Sequence, residues 1–381
     1  MDALTTPLPK TWQKVRLGDI ARIFDGTHQT PQYTHYGVAF FSVENIVSDK
    51  PSKFISQQDY LTATNQNRPE YNDILLTRIG TIGVSKVVNW NYPFSIYVTL
   101  AVIKQSKYFN SYYLHYFIQS NFFQKELKNN SLLQAIPCKI NMNELKKCEV
   151  ILPPLNEQSA IANILSDVDH YLYSLDALIL KKESVKKALS FELLSQRKRL
   201  KGFNQAWQKV RLGDICEITT GSLDANEMVH YGKYRFYTCA KEYYFIDKYA
   251  FDTEAILISG NGAYVGYVHY YKGKFNAYQR TYVLDNFSEH IIFVKYFLTM
   301  FLQSHIQTNR NEGNTPYIVM GTLKNFEILL PPLNEQAAIA NILSGLDHEI
   351  TSLKNKKRQF ENIKKALNHD LMSAKIRVLK K

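Results

Sequence analysis

The nonapeptide Trp12-Gln-Lys-Val-Arg-Leu-Gly-Asp-Ile20 recurs letter for letter as Trp207-Gln-Lys-Val-Arg-Leu-Gly-Asp-Ile215. A second block, Pro153-Pro-Leu-Asn-Glu-Gln-Ser-Ala-Ile-Ala-Asn-Ile-Leu-Ser166, returns as Pro331-Pro-Leu-Asn-Glu-Gln-Ala-Ala-Ile-Ala-Asn-Ile-Leu-Ser344, with one change in fourteen. The residues between the blocks are unlike in the two halves. A chain that keeps its frame and varies its inserts presents two different surfaces in one symmetric arrangement. The Trp blocks are offset by 195 residues and the Pro-Pro blocks by 178, so the first insert is 17 residues longer. Four segments follow: a globular part over 1–152, a helix over 153–200, a second globular part over 201–330 and a second helix over 331–381.

A proline pair cannot continue a ladder or sit inside a helix, so each Pro-Pro marks a boundary. Asn156 and Asn334 are the expected N-caps, with Glu157 and Glu335 in the first turn, where the helix dipole favours a carboxylate. Heptads follow. The first seam is Ile161, Leu165, Val168, Leu172, Leu175, Ile179, Lys182, Lys186, Leu189 and Leu193. The second is Ile339, Leu343, Leu346, Ile350, Leu353, Lys357, Phe360, Lys364, Leu367 and Leu371. Steps alternate four and three, the spacing of a coiled-coil seam. About 40 residues at 1.5 Å each make a rod of roughly 60 Å. A helix with one apolar stripe needs a partner, and two seams of one phase and length predict antiparallel pairing about a pseudo-dyad. Aligning the helices sets Lys381 against Phe203, so the sequence reads as a circle cut at one linker, with its two ends close together.

The inserts read as strands and turns. Asp73 to Ile79, Gly80-Thr-Ile-Gly83 and Val84 to Val88 form strand, turn, strand; Ala255 to Ser259, Gly260-Asn-Gly262 and Gly266 to Tyr271 repeat that plan loosely. Tyr112 to Leu127 and Ile291 to Gln303 read as amphipathic helices. The fold class is therefore α+β: two mixed α/β globular domains separated by two long helices forming an antiparallel coiled coil, with internal pseudo-two-fold symmetry.

Little chemistry of an enzyme is visible. Gly260-x-Gly262-x-x-x-Gly266 is one residue too long for a dinucleotide fingerprint and reads as a hairpin turn. There is no Walker A pattern, no His-Glu-x-x-His, no nucleophile elbow and no Asn-Pro-Pro-aromatic tetrad. His28 and His35 are isolated, and Asp167 and Asp169 read as a solvated helix face. Cys138, Cys148, Cys216 and Cys239 are not paired at metal or redox spacing, which fits a reducing compartment and no metal. Residues 1–7 lack the pattern of a leader, and residues 290–302 are interrupted by Lys295 and too short to span a bilayer. A soluble, cytoplasmic protein is expected, with no catalytic residue and no membrane.

Net charge is +12, which favours a polyanion partner. Many of the 26 tyrosines stand beside cations, as in Tyr231-Gly-Lys-Tyr-Arg235, Lys241-Glu-Tyr-Tyr244, Tyr270-Tyr-Lys-Gly-Lys274 and Tyr278-Gln-Arg280. Interleaved aromatic and basic residues suit contact with phosphate and base. The candidate DNA-binding residues are Gln29, Asn45, Arg68, Arg78 and Lys86 in the first half. In the second they are Arg235, Lys241, Asn261, Lys272, Lys274, Gln279 and Arg280. Arginine reads guanine bidentately in a major groove, while asparagine and glutamine read adenine.

Taken together, the chain resembles the specificity subunit of a type I restriction–modification system. The residues carrying this are the two Trp blocks, the two Pro-Pro blocks, and Phe40-Phe-Ser-Val-Glu-Asn-Ile46 and Leu75-Leu-Thr-Arg-Ile-Gly80 in the first insert. The second insert departs from the pattern: Arg235-Phe-Tyr-Thr-Cys239 replaces the Phe-Ser-x-Glu-Asn match. The resemblance implies two target-recognition domains, each reading one half of a bipartite, asymmetric site in double-stranded DNA, and a helical spacer fixing the gap. It implies two methyltransferase subunits acting at adenine N6 and restriction/translocase subunits docked on the frame. S-adenosylmethionine, ATP and Mg then belong to those partners, and this chain carries no cofactor. The alternatives are a non-catalytic protein–protein scaffold and a specificity-like part of a combined methyltransferase–nuclease.

Overall fold

The computed structural model describes residues 8–48, 53–309 and 316–379. Residues 1–7, read above for a leader, and Lys381, aligned above with Phe203, lie outside them. The chain forms two compact units: Met1–Asp176 with Asn355–Lys381, and Ala177–Lys354.

In each unit the Trp block becomes one strand of a two-stranded antiparallel ribbon. Gln13–Arg16 pairs with Glu149–Leu152, setting Gln13 opposite Leu152 and Arg16 opposite Glu149. Gln208–Arg211 pairs in the same register with Glu327–Leu330. The strand leading into each Pro-Pro pair is thus hydrogen-bonded to the repeated nonapeptide, and the whole insert leaves from and returns to this ribbon.

The inserts, unlike in sequence, share a strand topology. In the second unit one six-stranded sheet runs in the order Glu217–Thr220, Thr281–Asp285, Phe251–Ser259, Val268–Ala277, Tyr234–Tyr237, Tyr244–Ile246. In the first unit the same order is split between two sheets: Ile23–Asp25, Leu100–Ile103, Ile74–Thr77 and Ser85–Val87, then Phe94–Ile96, Val38–Phe41, Lys53–Ile55 and Tyr33–Thr34. The split lies where the long strand Val268–Ala277 has its counterpart in two pieces. Between them lies a segment ending in Pro93, which has no N–H to give a ladder. Parallel pairing marks the correspondence: Ala39 faces Phe94 as Arg235 faces Phe275. Gly26 and Gly221 occupy the same point in both. A Cβ there would lie 2.1 Å from the Ile96 carbonyl oxygen or 1.8 Å from that of Ala277, so no side chain fits. The glycine fingerprint resolves as a turn, with Gly262 and Gly266 at φ +81° and +80°, matching Gly80 and Gly83 at +80° and +94°.

Tyr112 to Leu127, expected as one helix, is two: α1 (Ser111–Ile118) and α2 (Asn121–Asn129). Ser120 causes the break; its hydroxyl donates to the Phe117 carbonyl at 2.6 Å and accepts from the Phe123 N–H, capping α2. The central helices are α3 (Leu155–Leu194) and, after α4 (Ile291–Asn309), α5 (Leu333–Met372), 40 residues each. Asn156 and Asn334 lie inside the helices rather than at the N-cap position, although Asn334 Oδ1 accepts from the Glu335 N–H at 2.9 Å. The Glu157 and Gln158 amides bond back to the Pro154 carbonyl, and Glu335 and Gln336 to that of Pro332, so each helix opens directly behind its proline.

Every seam position is buried or half-buried, and within each unit the two helices run antiparallel. In the first unit Tyr171 packs on Phe360 with ring centroids 4.5 Å apart. Ile161 and Leu165 share a core with Leu371 and Met372; Ile339 and Leu343 share the other core with Leu193 and Leu194. The four lysines interrupting the seam each reach an acid on the facing helix: Lys357 to Asp176 at 2.7 Å, Lys364 to Asp169 at 2.6 Å, Lys182 to Glu349 at 2.7 Å, and Lys186 to Asp347. Such half-exposed pairs contribute about 0–1 kcal/mol each and mainly fix register.

Candidate nucleic-acid interface

The frame repeats at the level of individual atoms. Trp12 Nε1 donates to Glu157 Oε2 at 3.1 Å, and Arg377 forks onto the same carboxylate at 2.7 and 3.0 Å. Trp207 Nε1 donates to Glu335 Oε2 at 3.2 Å, and Arg199 forks onto that carboxylate at 3.2 and 2.6 Å. Leu8 and Val378 pack on one core, with Arg377 5.8 Å over the Trp12 ring; Leu200 and Trp207 pack on the other. The glutamine after each glutamate accepts from a backbone N–H (Gln158 from Asn110 at 2.8 Å, Gln336 from His290 at 3.0 Å) and so ties the central helix to its globular part.

A second node joins the same parts. The Tyr116 hydroxyl donates to Asp169 at 2.8 Å, with the Lys364 ammonium 5.4 Å over the ring; Tyr296 donates to Asp347 at 2.6 Å, with Lys186 5.5 Å over its ring. Asp169, expected to be solvated, is therefore held in a network. Burial opposes ionisation of Asp347, but hydrogen bonds from Lys186 and Tyr296 outweigh it and keep the carboxyl below its usual range. His115 is pushed down to about 4 by burial and by Lys364 nearby, so its ring is neutral.

What differs between the units lies on the sheet face opposite the ribbon, where in the first unit Ile46 of the helix Val43–Ser48 also packs. In the first unit this face carries Phe24, Phe41, Leu75, Phe94 and Val102, with Trp90 against them. Trp90 stacks on Phe41 at 5.2 Å and Tyr92 at 5.8 Å, with the Lys86 ammonium 5.7 Å from its ring. In the second unit the face carries Tyr237, Leu257, Phe275 and Val283, with Tyr271 against them. Arg235 lies over the rings of Tyr243 and Tyr271, at 4.2 and 4.5 Å.

The candidate residues sort by this geometry. Arg78 is not at a surface. Its side chain is 8% exposed, and it is bound to Asp25 at 3.0 Å and to the Val98 and Ile140 carbonyls at 2.9 and 3.2 Å. Asn45 is likewise buried, its Oδ1 accepting from Ser42 N–H and hydroxyl. Both serve the scaffold. Lys86 is half-buried, and that burial lowers its pKa. Gln29 and Arg68 are exposed, Arg68 lying 5.6 Å from the Tyr60 ring. In the second unit Lys241 lies over Tyr264 at 5.2 Å and Lys274 over Tyr249 at 4.5 Å. Lys272 pairs with Glu254 at 3.1 Å. Asn261 is half-buried in the glycine turn, and Gln279 and Arg280 are exposed at the end of the long strand. Trp90, Tyr92 and Tyr243 carry the two aromatic faces but were not candidates; the Trp90-Asn-Tyr92-Pro93 run was the available signal. Among the described residues, no helix is long and apolar enough to cross a membrane, and no group of three His, Cys, Asp or Glu could hold a metal ion.

Comparison with known proteins gives a uniform result. A family profile described as the type I restriction modification DNA specificity domain matches residues 9–182 and again 204–362. The type I restriction enzyme EcoDI specificity subunit of Escherichia coli is 38% identical over 170 residues, which is 44% of this chain and 37% of that one. The chain thus aligns with little more than a third of that relative's length. The putative type I restriction enzyme MjaX specificity subunit of Methanocaldococcus jannaschii is 27% identical over 416 residues, covering 97% of this chain and 95% of the other. The crystal structure of a type I restriction-modification system S subunit from M. genitalium matches with a TM-score of 0.67 at 17% identity, over 97% of this chain and 99% of that one. That likeness shows a shared fold.

Proposed function

We propose that this chain, which belongs to the type I restriction modification DNA specificity family, is a non-catalytic specificity subunit that recognises DNA sequence, its two units each reading one half of a bipartite, asymmetric site. The observation that carries this is the pairing of an atom-for-atom repeated frame with two different sheet faces. One carries Lys86, Trp90 and Tyr92; the other carries Arg235, Tyr243 and Tyr271. Identical frames give both readers one pose, and unlike faces give them unlike targets.

In this reading Gln29, Arg68 and Lys86 contact DNA from the first unit. Arg235, Lys241, Asn261, Lys272, Lys274, Gln279 and Arg280 do so from the second. Exposed lysines bind phosphates and position the protein; arginine, asparagine and glutamine read base edges. The paired helices α3 and α5 set the number of base pairs between half-sites. The frame docks two methyltransferase subunits and, for cleavage, restriction/translocase subunits. S-adenosylmethionine, ATP and Mg act on those partners. The methylated adenine must leave the stack to react, and the pocket receiving it belongs to the methyltransferase.

Genome-wide mapping of N6-methyladenine in cells expressing this chain with its methyltransferase partner tests the reading. One bipartite, non-palindromic motif is expected. Removing one heptad from each helix should change only the spacer. A contiguous motif, or an unchanged spacer in the shortened variant, would refute it.

A further inference from the structure

We infer that Arg235 is the guanine-reading residue of the second unit, held in reading position by the rings of Tyr243 and Tyr271; this rests on the half-site assignment above. Three observations support it. First, the guanidinium lies 4.2 Å from one ring centroid and 4.5 Å from the other, so a delocalised planar cation is clamped by two aromatic neighbours. The clamp itself is anchored: Tyr271 packs on Phe275 and Tyr237 at 6.0 and 5.9 Å, and Tyr243 on Tyr237 and Phe245 at 6.1 and 5.6 Å. An arginine so held has already lost most of the rotamer freedom that a bidentate contact would otherwise cost.

Second, most of its donors have no partner among the described residues. Only Nη1 has a protein partner among the described residues, the Tyr237 hydroxyl at 3.4 Å, a weak bond. The arginines of the scaffold are instead tied to strong acceptors: Arg78 to a carboxylate and two carbonyls, Arg199 and Arg377 each to a buried carboxylate through a fork. A half-buried fork with free N–H groups in a fixed plane matches the O6 and N7 acceptors on the major-groove edge of guanine.

Third, the position is one where the units diverge. Arg235 faces Phe275 across the parallel pair, and its counterpart facing Phe94 is Ala39. On the first unit's face the cation is Lys86, which cannot form a planar fork. The strand pairing is kept while the reading group changes. Tyr243 and Tyr271 are positioning residues, acting through Arg235.

The test is methyladenine mapping of the full complex carrying wild-type chain, Arg235→Ala or Arg235→Lys, with melting curves for each. Wild type should show guanine at one position of one half-site. Both variants should lose the preference there by roughly tenfold or more, each bidentate pair being a large discrimination, with the other half-site unchanged. If Arg235→Ala unfolds, Arg235→Lys decides, because it keeps the charge and the stem between the rings but not the fork. An unchanged motif overturns the inference. So does uniform weakening on every sequence with a salt slope shallower by about one, the mark of a phosphate contact. A wild-type bipartite motif lacking guanine also overturns it while leaving the half-site reading intact. No bipartite motif in wild type would sink that reading itself.

Discussion

Arg377→Ala should destabilise the first unit far beyond what an exposed arginine normally costs. The Glu157 side chain is 3% exposed, whereas Arg377 is 35% exposed. The substitution removes two charge-assisted hydrogen bonds, at 2.7 and 3.0 Å, and leaves a buried carboxylate with the Trp12 indole N–H as its remaining donor in the node. Breaking a fully buried pair costs about 3–5 kcal/mol. With one partner a third exposed, water can replace part of the guanidinium, so about 2–3 kcal/mol is expected. For a unit of about two hundred residues this corresponds to a fall in Tm of roughly 4–12 °C. Differential scanning calorimetry of the full chain reads the shift, and limited proteolysis should show earlier cleavage beyond Met372. The control is Glu157→Gln combined with Arg377→Ala, which removes the buried charge and should recover at least half the loss. If Arg377→Ala melts with the wild type, or the double variant melts no higher than the single one, the buried-charge reasoning fails.

Three further outcomes follow from the same geometry. Gly221→Ala should destabilise the second unit by more than 2 kcal/mol, since its Cβ would lie 1.8 Å from the Ala277 oxygen; a denaturant midpoint within 0.2 M of wild type, by circular dichroism, would count against the shared strand crossing. His115, pushed down to about 4 from 6.5, binds a proton more readily unfolded than folded. Stability of the first unit should therefore fall as pH drops from about 6.5 to about 4, by about 2 kcal/mol for this half-buried ring; His115→Gln should flatten that limb of the Tm–pH profile, and an identical profile would contradict it. Asp347 has the opposite linkage: its carboxyl sits below its usual range, so its stabilisation is present above about pH 4 and lost as pH falls through the lower folded value. Asp347→Asn should remove this acid limb from the second unit, as seen by thermal melts between pH 2 and 5.

The two inserts show where sequence patterns stop being informative. Tyr234–Tyr237 and Val38–Phe41 hold the same place beside a parallel neighbour, yet no residue pattern links them, because strand identity in a sheet is set by partners far away in the chain. The expected helix over Tyr112 to Leu127 failed at Ser120, whose side chain offers the backbone a competing hydrogen bond. The helices open ahead of Asn156 and Asn334 because a proline already supplies the carbonyl and the pre-set φ at the helix start. Arg78 and Arg235 look equivalent as letters beside strands. One is bound by Asp25, Val98 and Ile140, contributed from 53, 20 and 62 positions away; the other is clamped by two rings, with a single weak bond to Tyr237 among the described residues.

Local regularities carried the duplicated frame, the heptad phase and length of the helices, the Gly turns and the basic balance, since each is written in neighbouring residues or an outright repeat. Tertiary packing alone decided that the seam lysines meet facing acids, that Glu157 and Glu335 are buried anchors, and that Arg78 is bound inside the scaffold. Whether a charged group is spent or available depends on what the fold brings within 3 Å of it, and those partners come from anywhere in the chain.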